Sequence, residues 1–502
     1  MSKQIVSTKG HLIDSLCPHT NGSIFESDGT VYDCTLNQTE IGSNANKFYI
    51  MQLLKLPTQF VVYIRYGRIG NNGVIRNDFF STSQQAVAHF RKQFSSKTGN
   101  QWGATPFVKK NNKYFFAEID AVDQSGSELE SGSGSGSGSG SDSDSGSDSD
   151  SVPDLDLDKR IIKFLELISN TTYMTAALVE LEIDTEKMPL GKIRQSQIDS
   201  AYEILNKINR NLGDSAKLMK LSSEFYTLIP QVFGRQIPPV INSAKLVGKN
   251  LNLLNELSQM VYGTTSITKL KNVKSNPLIQ LYTNLHTDIV PLDSTDQMFK
   301  ILADYMRRSM APTHNFKFDI VEIFQINRHL ERDMYERYST KLKNHTLLFH
   351  GTSISNMIGI LTNGLVVDPS RLGINVNITG KMFGLGLYFA NSCSKSIQYT
   401  NYQSSDNLCC LFVAEVALGK MLSKTQSDSS LTASTLPKPY NSVWGRGTSS
   451  FGEYDLYDDQ TQIPGGKLER TNSQPRSLLY DEFIVYKEEQ INLRFIVLLK
   501  IK

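Results

Sequence analysis

The sequence predicts a multidomain α+β protein: a small antiparallel-sheet domain, an all-α bundle, and a mixed α+β domain built on an antiparallel sheet. Three observations carry this. At 502 residues the chain exceeds the size at which a single core stops growing. A run of Ser, Gly and acidic residues from Ser125 to Ser151 divides it. Hydrophobic spacing is strand-like before that run, helical after it, and strand-like again from about residue 290.

Residues 1–22 show no pattern and are expected to form a mobile tail. Residues 23–122 carry the strand-like runs Phe48 to Leu54 and Phe60 to Arg65, with turns at Gly67, Gly70 and Gly73 and one helix-like segment, Gln84 to Phe94. Basic residues crowd the later part: Lys47, Arg65, Arg68, Arg76, Lys97, Lys109, Lys110 and Lys113. Residues 123–153 cannot bury enough apolar surface to offset ordering entropy, so a disordered linker is expected. In residues 154–288, Ile198, Ala201, Tyr202, Leu205 and Ile208 recur at helical spacing behind Ser196, with Asp199 completing a capping-box pattern. Pro230, Pro238 and Pro239 punctuate the bundle. In residues 289–502 the expected strands are Thr346 to His350, Leu408 to Leu418, Leu478 to Tyr486 and Leu493 to Ile501.

The formal net charge of +2 argues neither for nor against a nucleic-acid partner; the distribution of charge is more informative. Five cysteines form no CxxC pair and no Cys/His cluster, so no metal is expected, and their odd number fits a reducing compartment. The first residues lack an apolar leader core, and the best apolar run, Cys409 to Leu418, is interrupted by Glu415; no signal peptide or membrane span is expected. No compact Lys/Arg cluster marks nuclear import.

Two strands hold polar residues where apolar ones belong. Period-two alternation from Leu478 to Tyr486 puts Glu482 on the face of Tyr480 and Ile484, a costly place for an unpartnered carboxylate. His350 closes the apolar run Leu347 to Phe349 and precedes Gly351 and Thr352. Alone, His350 reads as a satisfied core histidine and Glu482 as a surface residue of an edge strand. Between them, Met382 to Ala390 sets Gly384 and Gly386 beside Tyr388, followed by Ser394, Lys395, Ser396 and Tyr399. This is no dinucleotide fingerprint, because Phe389 stands where a third glycine belongs.

In that order, His350, Tyr388 and Glu482 resemble the His-Tyr-Glu signature of poly(ADP-ribose) polymerases, with the surrounding blocks resembling that family across residues 290 to 502. The resemblance implies NAD+ as substrate, without a metal. It implies that His350, Gly351, Thr352, Tyr388, Ser396 and Tyr399 bind NAD+: Gly351 and Ser396 pair with the carboxamide, Tyr388 and Tyr399 sandwich the pyridinium, and His350 holds ribose hydroxyls. His350, Tyr388 and Glu482 form the implied catalytic set, with Glu482 stabilising the developing cation and polarising the acceptor hydroxyl. Leu385 stands where the family often has Lys, near the acceptor surface.

Tyr66, Gly67 and Arg68 resemble the Trp-Gly-Arg of the WGR domain, with Tyr66 departing from it. The resemblance implies that Asn44, Asn46, Lys47, Tyr66, Arg68, Trp102 and Tyr114 face damaged DNA, Arg68 and Lys47 on phosphates and the aromatics stacked at an exposed end. Read without it, Tyr66 and Trp102 are core aromatics and the basic residues a solvated face. The literal Trp444, Gly445, Arg446 falls in a Ser/Gly-rich stretch, is expected to be a loop, and is read as coincidence. Residues 154–288 resemble the family's helical regulatory domain, at Met188 to Lys192, Phe225 to Pro230 and Phe233-Gly234, and are expected to shield the NAD+ pocket until DNA docks. Break-activated polymer synthesis in the nucleus, on chromatin proteins and on the chain itself, follows from the resemblance. A mono-ADP-ribosyltransferase and an inactive DNA-end scaffold are the alternatives.

Overall fold

The computed structural model describes residues 11, 13–117, 157–183, 193–270, 276–367, 381–458, 460–470 and 476–502. The acidic Ser/Gly run and the block Met188 to Lys192 lie outside them.

The first unit is built on the strand Ala45–Lys55, flanked by Asp33–Glu40 and Phe60–Arg68, with Val74–Phe80 and Phe115–Ala117 at the edges. The helix Ser83–Thr98 starts at Thr82, whose side chain accepts from the Gln85 amide, and stops at Gly99, whose φ of 74° suits glycine. It packs Ala86, Phe90 and Phe94 onto Tyr49, Met51, Val62 and Ile64. Trp102 belongs to this core, edge-on to Phe90 and Phe94 at 4.8 Å each. Trp102 is half-buried there, so the contacts the structure shows for it are packing against this core rather than a place on an open DNA face.

The opposite face of the sheet is apolar too, through Leu54, Val61 and Tyr63, and needs its own cover. Ile13 and Cys17 supply it. The Asp14 carboxylate accepts from Arg65 Nε at 2.9 Å and Nη2 at 2.6 Å, and from the Tyr63 hydroxyl at 3.0 Å. The mobile tail expected over 1–22 is thus corrected for its described second half, and Arg65, which has no exposed surface, is a core cation rather than part of a basic face.

Helices follow at Lys159–Ile168, Thr171–Glu180, Gln195–Arg210, Ser215–Leu228, Ala244–Leu270 and Pro277–Asn284. The expected capping box is shifted: the third helix begins at Gln195, and Gln197 rather than Asp199 reaches back, accepting from the Arg194 amide at 3.2 Å. Ile198, Ala201, Tyr202, Leu205 and Ile208 are buried, as their spacing requires. The first and last helices pack away from this core, placing Phe164, Leu165, Leu281 and Leu285 against Phe324, Ile326 and Leu348 of the next unit.

That unit contains an eight-stranded and a four-stranded sheet. His345–Thr352 lies inside the larger one, antiparallel to Leu408–Ala417. The single strand expected from Leu478 to Tyr486 is two. Leu478–Tyr480 joins the larger sheet and Glu482–Val485 the smaller. Asp481 makes the corner: fully buried, it accepts from the Gly447 amide at 2.7 Å and from the Ser450 hydroxyl. Trp444 and Gly445 are not loop residues but end the strand Ser442–Gly445, with Gly445 directly opposite Glu482.

Candidate active site

A cavity of about 660 Å³ opens where the strand carrying His350, the loop Lys381 to Ala390, the strand carrying Glu482 and the helix Ala244–Leu270 converge. His350, Gly351, Tyr388, Ser396, Tyr399 and Glu482 all line it, so six residues spread over more than a hundred positions share one wall. Thr352 does not. Its buried hydroxyl accepts from Asn356 Nδ2 at 3.1 Å, so it stands behind the wall and braces a residue that lines it.

Strand geometry explains what each group offers. Phe349 exchanges both backbone hydrogen bonds with Ala390, so Gly351, two residues on, directs its amide and carbonyl to the same side, into the cavity. A Cβ at Gly351 would lie 1.8 Å from the Ser396 carbonyl oxygen, so only glycine fits. Ser396 donates its hydroxyl to the Phe349 carbonyl at 3.3 Å.

His350 Nδ1 donates to the Tyr388 carbonyl at 3.0 Å, which leaves Nε2 as an acceptor facing the cavity. Burial holds the imidazole below its ordinary range and hence neutral. The Tyr388 hydroxyl accepts from the Phe383 amide at 2.9 Å and donates to the Gly384 carbonyl at 2.8 Å. Burial pushes its ionisation up, so Tyr388 offers a fixed ring rather than an acid or base.

Glu482 is paired. Lys395 Nζ sits 2.9 Å from Glu482 Oε1 and donates to the Tyr480 carbonyl at 2.9 Å. Lys395 is a cavity residue that sequence reasoning missed; it lies in the short helix Cys393–Ile397, all of whose residues are buried, and no spacing in the sequence marks it. Lys381, Asn356, Glu256 and Gln259 also line the cavity, the last two from the helical region. Leu385, expected near the acceptor surface, is buried and packs with the core of the helical region.

The expected DNA-facing residues divide. Tyr66, 40% exposed, and Tyr114 both lie 5.8 Å from the Tyr49 ring, and Lys97 Nζ sits 4.8 Å over it. Burial lowers the Lys97 ammonium, and Arg76, Lys113 and Lys47 lower it further, so cations converge on this aromatic cluster, of which Tyr66 is exposed. Arg68 and Asn46 point elsewhere. Arg68 donates to the Gly234 carbonyl, to the Gln236 carbonyl at 2.7 Å, and to Asn44. Asn46, without exposed surface, donates to the Gln231 carbonyl at 2.9 Å. Asn44 accepts from Arg68 and donates to the Arg235 carbonyl at 3.4 Å. These three residues join the first unit to the helical region, so the contacts the structure shows for them are between units rather than toward an open DNA face.

Three family models match: the WGR domain over residues 32–109, the poly(ADP-ribose) polymerase regulatory domain over 156–282, and the poly(ADP-ribose) polymerase catalytic domain over 296–501. The chain is 31% identical over 511 residues to poly [ADP-ribose] polymerase 2 of Zea mays, covering 99% of this chain and 75% of that protein. It is 31% identical over 480 residues to human poly [ADP-ribose] polymerase 2, covering 93% and 79%. To poly [ADP-ribose] polymerase 1 of Xenopus laevis it is 32% identical, covering 95% of this chain but 46% of that longer protein. With these matches lying on the site just described, the chain belongs to the poly(ADP-ribose) polymerase family and is an NAD+ ADP-ribosyltransferase.

Proposed function

We propose that the chain is a DNA-break-activated nuclear poly(ADP-ribose) polymerase, moving ADP-ribose from NAD+ onto chromatin proteins and onto itself in the response to DNA damage. The Lys395–Glu482 pair beside the neutral His350, in one cavity, is the observation that supports this best.

The inward amide and carbonyl of Gly351 match the carboxamide of nicotinamide, and the fixed ring of Tyr388 offers a face to its pyridinium. His350 Nε2 accepts from a ribose hydroxyl. The bond from C1′ to the nicotinamide nitrogen breaks with its electron pair leaving on nicotinamide, and the Glu482 carboxylate stabilises the positive charge that develops on the ribose. The acceptor hydroxyl then bonds C1′ and passes its proton to Glu482. Lys395 holds that carboxylate in place.

The exposed Tyr66 and half-buried Tyr114, with Lys47, Lys97 and Lys113, suit a broken DNA end, rings for bases and cations for phosphates, without base specificity. Arg68, Asn44 and Asn46 link that face to the region from Gln231 to Gln236, and the helix Ala244–Leu270 forms a wall of the cavity. This continuity supports activation through the helical region.

Incubation with labelled NAD+, with and without nicked duplex, tests the proposal. DNA-stimulated polymer is expected. A single ADP-ribose per acceptor establishes the mono-transferase instead, and no NAD+ turnover establishes a scaffold.

A further inference from the structure

Among the described residues, the cavity is lined by three side chains of permanent or near-permanent positive charge: Arg328, Lys381 and Lys395. Two are neutralised where they stand. Arg328 pairs with Glu331 and donates to the Leu361 carbonyl at 2.8 Å and the Thr362 carbonyl at 3.2 Å. Lys395 pairs with Glu482. The Lys381 ammonium makes no ion pair or hydrogen bond among the described residues; it rests 5.4 Å from the centre of the Tyr388 ring. Burial lowers it to about 8, with no anion among the described residues to offset the cost.

The cavity's acids do not answer that charge. Glu331 and Glu482 are committed, Glu488 accepts from the Val367 amide at 3.0 Å, and burial raises Glu256 to about 7. A cation lining a cavity without a counter-charge among the described residues is a candidate for ligand recognition.

On the reading that NAD+ is the substrate, we propose that Lys381 binds the diphosphate of the dinucleotide. The ring contact shows how. In the structure Lys381 is the cation on the Tyr388 face, which the pyridinium needs on binding. Two cations cannot share that face cheaply. The diphosphate is tethered to the same nicotinamide through one ribose, so the ligand that displaces the ammonium also brings the anion that receives it. Lys381 additionally helps keep His350 neutral, since its positive charge opposes protonation of the imidazole.

The test titrates the full-length protein, in the presence of nicked duplex, with three probes. Carba-NAD+, which resists glycosidic cleavage, carries both halves of the ligand; ADP-ribose has the diphosphate without the pyridinium; nicotinamide has neither ribose nor phosphate. Lys381→Gln should weaken carba-NAD+ and ADP-ribose by a similar factor, roughly tenfold or more, the size of a lost charged hydrogen bond. It should leave nicotinamide as tight as before or tighter, and Lys381→Arg should retain most of the affinity for all three. Equal loss for nicotinamide would mean that Lys381 only packs Tyr388, and unchanged ADP-ribose binding in folded Lys381→Gln and Lys381→Met proteins would overturn the proposal. A parent protein that binds neither carba-NAD+ nor ADP-ribose refutes the NAD+ reading itself; a parent that binds both, with indifferent variants, refutes only the role of Lys381.

Discussion

Lys395 Nζ and Glu482 Oε1 lie 2.9 Å apart, with side chains only 10% and 11% exposed. Lys395 also donates to the carbonyls of Tyr480, at 2.9 Å, and Asp481, at 3.4 Å, so it fixes both the carboxylate and the corner of the strand that carries it. Neither charge would be tolerated there alone.

Glu482→Gln should therefore cut turnover by roughly 10²- to 10⁴-fold, as loss of a positioned proton acceptor does, while ADP-ribose still binds. Lys395→Met should lower turnover through Glu482. If so, the double variant is no slower than Glu482→Gln alone; additive losses would show that Lys395 acts on the substrate independently. Steady-state rates of the three variants decide between these.

Asp14→Ala removes the carboxylate that neutralises the fully buried Arg65. Breaking a buried pair from one side costs about 3–5 kcal/mol, so the first unit should melt earlier, by denaturant titration, while nicotinamide affinity is unchanged. An effect below about 1 kcal/mol would mean that water reaches Arg65.

The sequence made some of this visible and hid the rest for physical reasons. Glu482 stood out because a carboxylate interrupts an apolar strand, and the helical spacing from Ile198 to Ile208 matches a buried face. Trp102 was open to two readings because an aromatic in an irregular segment has no period to say which way it faces; its packing against Phe90 and Phe94 is a contact the sequence does not show. Residues 13–22 carry no pattern because their placement depends on distant partners, as when Asp14 pairs with Arg65, 51 positions away. Lys381 and Lys395 sit in a loop and a short helix, where nothing in the spacing separates a cavity cation from a solvated one. The outer helices of the middle region are periodic, but periodicity does not name the partner, and Phe164 proves to pack on Phe324 with ring centres 4.9 Å apart.

Arg68→Ala separates two roles. Its donors go to Asn44, Gly234 and Gln236, so the variant should bind nicked DNA within about threefold of the parent, with the same salt dependence, yet lose much of its stimulation. A tenfold loss of affinity with a salt slope reduced by about one would show that the guanidinium reaches a phosphate instead.

Glu256 gives the closed cavity a pH dependence. Burial, helped by the Glu180 charge, raises its carboxyl from 4.5 to about 7. Between those values the folded protein keeps a proton that the unfolded chain has lost, so this residue's contribution to stability falls as pH rises through the window and is level above it. Glu256→Gln should match the parent near pH 5 and exceed it at pH 8 by up to about 3 kcal/mol, measured by denaturant titration at both values. A difference independent of pH would place the effect in packing rather than charge.

Shielding by the helical region is best tested without removing it. A cut at residues 154–288 would also strip Phe164, Leu165, Leu281 and Leu285 from the core they share with Phe324 and Leu348, so an inactive fragment would report only a damaged fold. Gly359 offers a gentler lever. It lies on the helix Met357–Asn363 where the helix Ala244–Leu270 crosses it, and a Cβ there would sit 2.7 Å from the Gln259 carbonyl oxygen and 3.0 Å from its Cα. Backbone cannot yield as a flexible side chain would, so Gly359→Ala should push the two helices apart at a cost of about 1–3 kcal/mol. If the long helix closes the NAD+ cavity, DNA-free turnover should rise, about tenfold for each 1.4 kcal/mol by which the open state is favoured, and stimulation by DNA should shrink by the same factor. Gly452→Ala, with no atom within 4 Å of the added Cβ, is the control and should change neither. A Gly359→Ala protein that melts earlier yet shows the parent's DNA-free turnover would mean that the helix lines the cavity without gating it.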